Sequence, residues 1–232
     1  MDALTLTDYE ITAILLSLKV SGWAVVGSLP PGIACAWLLA RRNFPGKVLV
    51  DGLIHLPLVL PPVVVGYLLL VGLGRNGIIG AGLREWFGIT LAFTWQGAAV
   101  AAAVVSFPLM VRAIRLGMEQ VDQGLEQAAR TLGASPLRVF VTVTLPLVGP
   151  GILTGVVLAF ARSLSEFGAT ITFVSNIPGQ TRTLPIALYT FTQTPGGDEA
   201  AFRLCVLSII LAMIALMASE VLARRIQKQL AG

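Results

Sequence analysis

Charge is what this sequence has least of. Only 12% of its 232 residues are Asp, Glu, Lys or Arg, about half of the roughly 25% usual in soluble domains. A water-facing globular surface cannot be built from so few charges. Histidine is nearly absent too. His55 is the only one, and a lone histidine cannot build a metal site. There are two cysteines, Cys35 and Cys205. Both lie in apolar runs, where the ordinary reading is a small core residue and the alternative a disulfide or metal pair. No Gly-x4-Gly-Lys-Ser/Thr loop occurs; Gly46-Lys47 is followed by Val48, so no P-loop holds ATP here. The opening "MDALTLTDYE" lacks a basic region, and no cleavable signal peptide is expected. No internal repeat or duplicated broken helix is visible, which counts against a secondary carrier. No spaced carboxylate or cysteine cluster suggests a catalytic centre.

What fills the chain instead is oil. Hydrophobic residues make up 56%. Runs free of Asp, Glu, Lys and Arg cover 20–40, 52–74, 86–111, 139–161 and 204–219. A bilayer core of about 30 Å needs roughly 20 apolar residues in a helix. The expectation is a single transmembrane domain over 1–232. It is an all-α polytopic protein with five spans at about 12–40, 49–73, 91–114, 143–165 and 203–223.

The net charge of +4 is no sign of nucleic acid, because the basic residues cluster between spans. Arg41, Arg42, Lys47, Arg112, Arg115, Arg130, Arg138, Arg224, Arg225 and Lys228 fall on one side. Only Lys19, Arg75, Arg84, Arg162, Arg182 and Arg203 fall on the other. The richer side is expected in the cytoplasm, with the N-terminus outside and the C-terminus inside. Seven acids, from Asp2 to Glu199, share the outer side.

Local signals add detail. Thr7 and Glu10 fit a capping box opening span 1. Lys19 can snorkel to outer headgroups. Pro30-Pro31 should kink or break that span. Span 2 carries Pro57, Pro61 and Pro62, which disfavour a regular helix. Irregular backbone at membrane depth must face protein or a watery cavity, so the span is either a pore or gate element or a kinked packing helix. His55 lies one turn from Asp51 and reads as structural. The outer segment "LREWFG" is short and amphipathic, and Trp86 and Trp95 fit an interfacial belt. Between spans 4 and 5, "EFGATITFVSNIPG" could dip into the membrane. "TLPIALYTFTQTPGG" could be a surface helix ending at Pro195-Gly196-Gly197.

One stretch is out of keeping: "EQAARTLGASPLRVFVTVTLP", at 126–146 within an inner loop at about 119–140. Asp122 can cap a helix reaching Leu132. Val121, Leu125, Ala128, Ala129 and Leu132 share an apolar face. Glu126 and Arg130 are spaced to pair at i, i+4. Gly133 ends the helix as a C′ glycine, Ser135 caps the next one, and Pro136 takes its first position. That second helix should run into span 4, with Pro146 at the membrane entry. A helix this short is marginal alone. It packs on the chain's own spans or is offered to a groove on a partner.

The stretch resembles the coupling loop of ABC-importer membrane subunits, Glu-Ala-Ala-x3-Gly-x9-Ile-x-Leu-Pro. Gly133 fixes the register. Ala128, Ala129 and Leu145-Pro146 match, Val143 stands for Ile, and Gln127 occupies the acidic position. Glu126, one residue earlier, is then assigned to Arg130. "RNFPGK", "LPLVLPPVVVGYLLL", "VSFPLMVRAIR" and "ARSLSEFGATITFVSNIPGQTRTLP" are similar to the molybdate permease subunits of that class, over almost the whole chain. "SEFGA" is also similar to sulfate and thiosulfate permeases, so that piece alone does not select the anion.

The resemblance implies a type I ABC importer permease fold, a homodimer in the bacterial inner membrane, and two cytoplasmic ATPase subunits. A periplasmic molybdate-binding protein would deliver the anion. ATP and Mg would be used by the ATPase, with no cofactor on this chain. Coupling would fall to Glu126, Gln127, Ala128, Ala129, Gly133, Ala134, Ser135 and Pro136. Sulfate, thiosulfate or tungstate as cargo, or an ATP-independent channel or carrier, are the alternatives.

A dianion crossing an apolar core needs donors without a deep trap. Pro61, Pro62, Ser106, Arg162, Ser165, Glu166, Gly168 and Thr170 are the candidates for path or gate, with Ser163, Thr172, Pro57 and Pro108 near them. Arg162 and Glu166, at i, i+4, form an anion guide or, on the blander reading, a structural ion pair. Gly168 and Ala169 could form a constriction.

Overall fold

The computed structural model describes residues 7–231, and within the last helix side chains only as far as Ala215, with Met217 and Val221. Asp2 and the side chains of Arg224, Arg225 and Lys228 therefore lie outside it. Among the described residues all regular structure is helical.

Helix α1 runs unbroken from Asp8 to Arg41. Its capping box is formed: the Glu10 amide donates to Thr7 Oγ1 at 3.3 Å and the Thr7 amide to Glu10 Oε2 at 2.8 Å. Pro30 and Pro31 lie inside it without breaking it. Val26 and Gly27, the residues whose carbonyls lose their donors, are both exposed. Gly27 and Pro31 line an apolar cleft of about 800 Å³ between α1, α2 and α5. Freed backbone is tolerated where it borders a cavity.

Helices α2, Lys47–Val59, and α3, Pro62–Leu73, are bent by 114° at their junction. Pro57 is carried inside α2; the break falls at Leu60-Pro61. A residue before proline is pushed out of the α region. Both Leu60 (ψ 140) and Pro61 (ψ 133) precede one. Helix α4, Ile78–Phe87, is the short amphipathic segment, with Trp86 and Phe87 exposed and Gly88 closing it.

Helix α5, Trp95–Glu119, is the hub, with Ala98, Ala101, Ala102, Met110 and Ile114 fully buried. It packs against α1 and against α9, Gly149–Leu164. The Lys19 ammonium sits 3.7 Å from the centre of the Trp95 ring, a cation–π contact between α1 and α5.

Between α5 and α9 lie α6, Gln123–Thr131, α7, Pro136–Val139, a π-helical turn at Phe140–Thr144, and α8, Leu145–Leu147. The sequence pattern predicts one helix that runs on into the membrane at Pro146. Instead 136–147 and 149–164 are bent by 67°. Pro146 cannot donate to Thr142, so Leu145 reaches back to the Phe140 carbonyl and makes the π turn. The bend then falls before Pro150, at the first turn of α9.

Helix α10, Gly168–Val174, packs on α3 and α5. Helix α11, Leu184–Thr192, forms as the sequence suggests but is no surface helix. Ile186 and Ala187 are fully buried, and the Leu184 amide donates to Ser17 Oγ at 2.6 Å. Its apolar side chains outnumber its polar ones, so burial against α1 and α12, Asp198–Ala231, wins. Buried Glu10 meets Arg203 of α12 at 3.1 Å. Cys35 and Cys205 are both free, and Cys205 is exposed rather than a core residue.

Two helices, α1 and α5, are singly long and apolar enough to cross a membrane. Counting the pairs α2–α3 and α7/α8–α9 as one span each brings the number to four among the searched residues.

Candidate functional site

The polar loop is a compact module whose two ends are chemically defined. Asp122 accepts from the Gly124 amide at 2.8 Å and caps α6. At the other end Gly133 has φ +83, a conformation that costs other residues roughly 1–2 kcal/mol. The Gly133 amide donates to Arg130 O at 2.9 Å and the Ala134 amide to Ala129 O at 3.1 Å. These two bonds are a Schellman closure. Ser135 Oγ accepts from the Arg138 amide and Pro136 opens α7.

The leucines of this module are not used inside the chain. Val121 is buried, but Leu125 is 50% exposed, Leu132 89% and Leu137 74%. Gln127, Ala128, Arg130 and Gly133 are exposed as well, while Ala129 and Ala134 are half-buried. An added Cβ at Gly133 would meet nothing within 4 Å. The module therefore carries a surface of small and apolar residues that the chain itself does not cover.

Glu126 faces the other way. It is 8% exposed, and its Oε1 lies 2.9 Å from Arg41 Nη2 and 2.9 Å from Thr144 Oγ1. The expected pairing with Arg130 is thus replaced. An exposed i, i+4 pair is worth only about 0.2–0.5 kcal/mol. The Arg41 side chain is only 9% exposed and needs an anion. The sequence pattern does not bring Arg41 and Thr144 to this carboxylate; the fold does. In the sequence Arg41 reads only as a topology signal, one residue past an apolar run.

The second group gathers where α3 meets α10. A Cβ on Gly168 would lie 2.8 Å from Pro62 Cβ, and one on Gly66 would lie 2.6 Å from Ala169 O. Pro61 and Ser165 are exposed beside this crossing. Arg162 Nη1 and Glu166 Oε2 are 2.7 Å apart, and the Ala169 amide donates to Glu166 Oε1 at 2.8 Å. Glu166 thereby holds the first turn of α10. Thr170 is buried and donates to Phe167 O. Ser106 and Ser163 lie apart from this crossing, bridged to each other at 3.1 Å between α5 and α9. Thr172 donates to Gly168 O within α10.

A smaller cleft of about 320 Å³ between α2 and the C-terminal end of α5 is lined by Asp51, His55, Arg112, Arg115, Leu116 and Glu119. Arg115 joins Asp51 at 3.1 Å and Glu119 at 2.8 Å, and His55 Nδ1 lies 2.9 Å from Asp51 O. No group of three or more His, Cys, Asp or Glu able to hold a metal occurs among the described residues.

Comparisons with known proteins agree with this architecture. Residues 30–229 match the family described as binding-protein-dependent transport system inner membrane component. The chain is 69% identical to the molybdenum transport system permease protein ModB of Escherichia coli (strain K12), covering 98% of this chain and 99% of that one. It is 62% identical to the protein of the same name from Haemophilus influenzae, over 95% and 96%. Among solved structures, a bacterial ABC transporter that imports the acidic polysaccharide alginate superposes with a TM-score of 0.75. That match has 16% identity and covers 95% of this chain and 80% of that one. The fold is that of ABC importer permeases, and the chain belongs to the binding-protein-dependent transport system inner membrane components.

Proposed function

We propose that this chain is the membrane subunit of an ATP-driven importer that carries molybdate across the bacterial inner membrane. It works as a homodimer on two cytoplasmic ATPase subunits, with a periplasmic binding protein delivering the anion. Five spans cross the bilayer, with α12 as the fifth, the N-terminus outside and the C-terminus inside. The chain itself catalyses nothing. ATP and Mg belong to the ATPase.

The observation that carries this reading is the Gly133 module. Leu125, Leu132 and Leu137 stand exposed around a tight Schellman turn, on the side where the positive-inside asymmetry puts the cytoplasm. An exposed apolar helix face fits a groove on a partner. The cargo assignment is supported by the near full-length similarity to molybdenum permeases.

In this account the crossing of α3 and α10 acts as the gate. Pro62 and Gly168 touch there, with Pro61, Ser165 and the Arg162–Glu166 pair at its edge. Bringing the inner helix ends together or apart changes that crossing, because α2 and α3 are joined by the sharp bend at Leu60-Pro61. Ser106 and Ser163 brace α5 against α9.

The test is uptake into proteoliposomes holding the permease, its ATPase and its binding protein. ATP-dependent molybdate uptake is expected, with weaker competition from sulfate. Equal or preferred sulfate uptake would move the cargo assignment. Uptake by the permease alone, unaffected by ATP, would replace the importer with a channel or carrier.

A further inference from the structure

We propose that Glu126 is a positioning residue that carries the displacement of α6 into α1, and is no docking contact for the ATPase. This rests on the importer reading above.

Helix α6 has two faces with different work. Gln127, Ala128, Arg130 and Thr131 are exposed, while Glu126 alone in the helix is buried. A nine-residue helix is too short to hold its shape or position unaided. Its buried carboxylate is the feature that ties it to the rest of the chain. Arg41 stands at the last turn of α1, 85 residues away in sequence. Thr144 stands at the end of the π turn. One carboxylate oxygen therefore joins three elements: α6, the inner end of α1, and the lead into α9.

The surroundings make this a mechanical junction. Trp37 of α1 meets Phe140 of the π turn edge to face, with ring centres 6.5 Å apart. Leu39 is fully buried beside Arg41. The ion pair uses one nitrogen and one oxygen, and Arg41 Nε is buried without a partner. A two-point fork would lock the relative angle of guanidinium and carboxylate. Here the pair is one nitrogen to one oxygen, and the same Arg41 nitrogen also donates to the Val121 carbonyl at 3.4 Å, so the end of α1 holds both α6 and the residue that leads into it. Two consequences follow: a force on the exposed face of α6 reaches α1 through Arg41, and it reaches α9 through Thr144 and the π turn.

The test uses the complete reconstituted complex with molybdate as cargo. Glu126→Gln removes the charge but keeps the size and an oxygen for Thr144. The ATPase is expected to co-purify with this variant, while uptake per ATP hydrolysed falls at least about fivefold, the lower range of a coupling loss. Combining Arg41→Glu with Glu126→Arg should recover at least about half of the native ratio, as a true pairwise term would. Loss of the ATPase from the Glu126→Gln complex would overturn the proposal, making Glu126 a docking contact. A native ratio of uptake to hydrolysis would overturn it equally. Wild-type uptake judges the importer reading separately. Were the wild type to move no molybdate, the tie is read from stimulation of ATP hydrolysis by the binding protein, which Glu126→Gln must lose.

Discussion

Arg41 and Glu126 are 85 positions apart in the sequence and 2.9 Å apart in space, both almost wholly buried. Four residues from Glu126, Arg130 stands exposed. Removing one partner of a buried pair strands the other charge and costs roughly 3–5 kcal/mol. Arg41→Ala should therefore destabilise the purified chain by about 3 kcal/mol. Arg130→Ala should stay within about 0.5 kcal/mol, as surface changes do. Thermal unfolding in detergent reads both, and an Arg130→Ala cost equal to that of Arg41→Ala would restore the local pairing.

The crossing of α3 and α10 makes a steric prediction. A methyl at Gly66 would press on Ala169 O, Thr172 Cβ and Ala169 Cα, all within 2.9 Å. Overpacking of this kind costs about 1–3 kcal/mol. At Gly72, on the same helix, a methyl meets nothing within 4 Å. Gly66→Ala should lower stability and uptake together, and Gly72→Ala should leave both near wild type. Equal behaviour of the two variants in an unfolding and uptake assay would remove the crossing from the account.

Gly133 separates folding from coupling. Its φ of +83 penalises any side chain by roughly 1–2 kcal/mol, but open space surrounds it within the chain. Gly133→Trp should reach the membrane at levels close to wild type and lose ATP-driven uptake, because the indole occupies the partner's space. Immunodetection of the inserted chain alongside uptake checks this. Normal uptake by Gly133→Trp would show that the turn is no contact surface.

Glu166 does two jobs at once, pairing with Arg162 and receiving the Ala169 amide. Glu166→Ala strands a charge and an amide, and should cost about 3 kcal/mol. Glu166→Gln keeps an acceptor for the amide and should cost less. Hydrogen exchange over 168–174 should accelerate markedly in the alanine variant and slightly in the glutamine one. Identical exchange in both would mean the carboxylate does not hold α10.

What the sequence made legible is what local chemistry decides. The caps at Thr7, Asp122 and Ser135 and the turn at Gly133 each depend on a few neighbouring residues, and each formed. Long-range partners were not legible. Nothing near Glu126 distinguishes Arg130, four residues on, from Arg41, because burial decides and burial is a property of the assembled helices. Proline illustrates the same limit. Pro30-Pro31 stays helical beside a cleft, whereas Pro61-Pro62 breaks its helix. Both pairs read alike in sequence, and the packing around them differs. The π turn was hidden for a related reason: Pro146 advertises a lost donor but not which amide will compensate.

The central claim is that the Gly133 module couples an ATPase to oxyanion import. Its most direct measurement is ATP hydrolysis by the reconstituted complex, with molybdate-loaded and sulfate-loaded binding protein compared, for wild type and Gly133→Trp. The account predicts strong stimulation by the molybdate-loaded protein, weak stimulation by the sulfate-loaded one, and none in Gly133→Trp. Equal hydrolysis under all these conditions would contradict it.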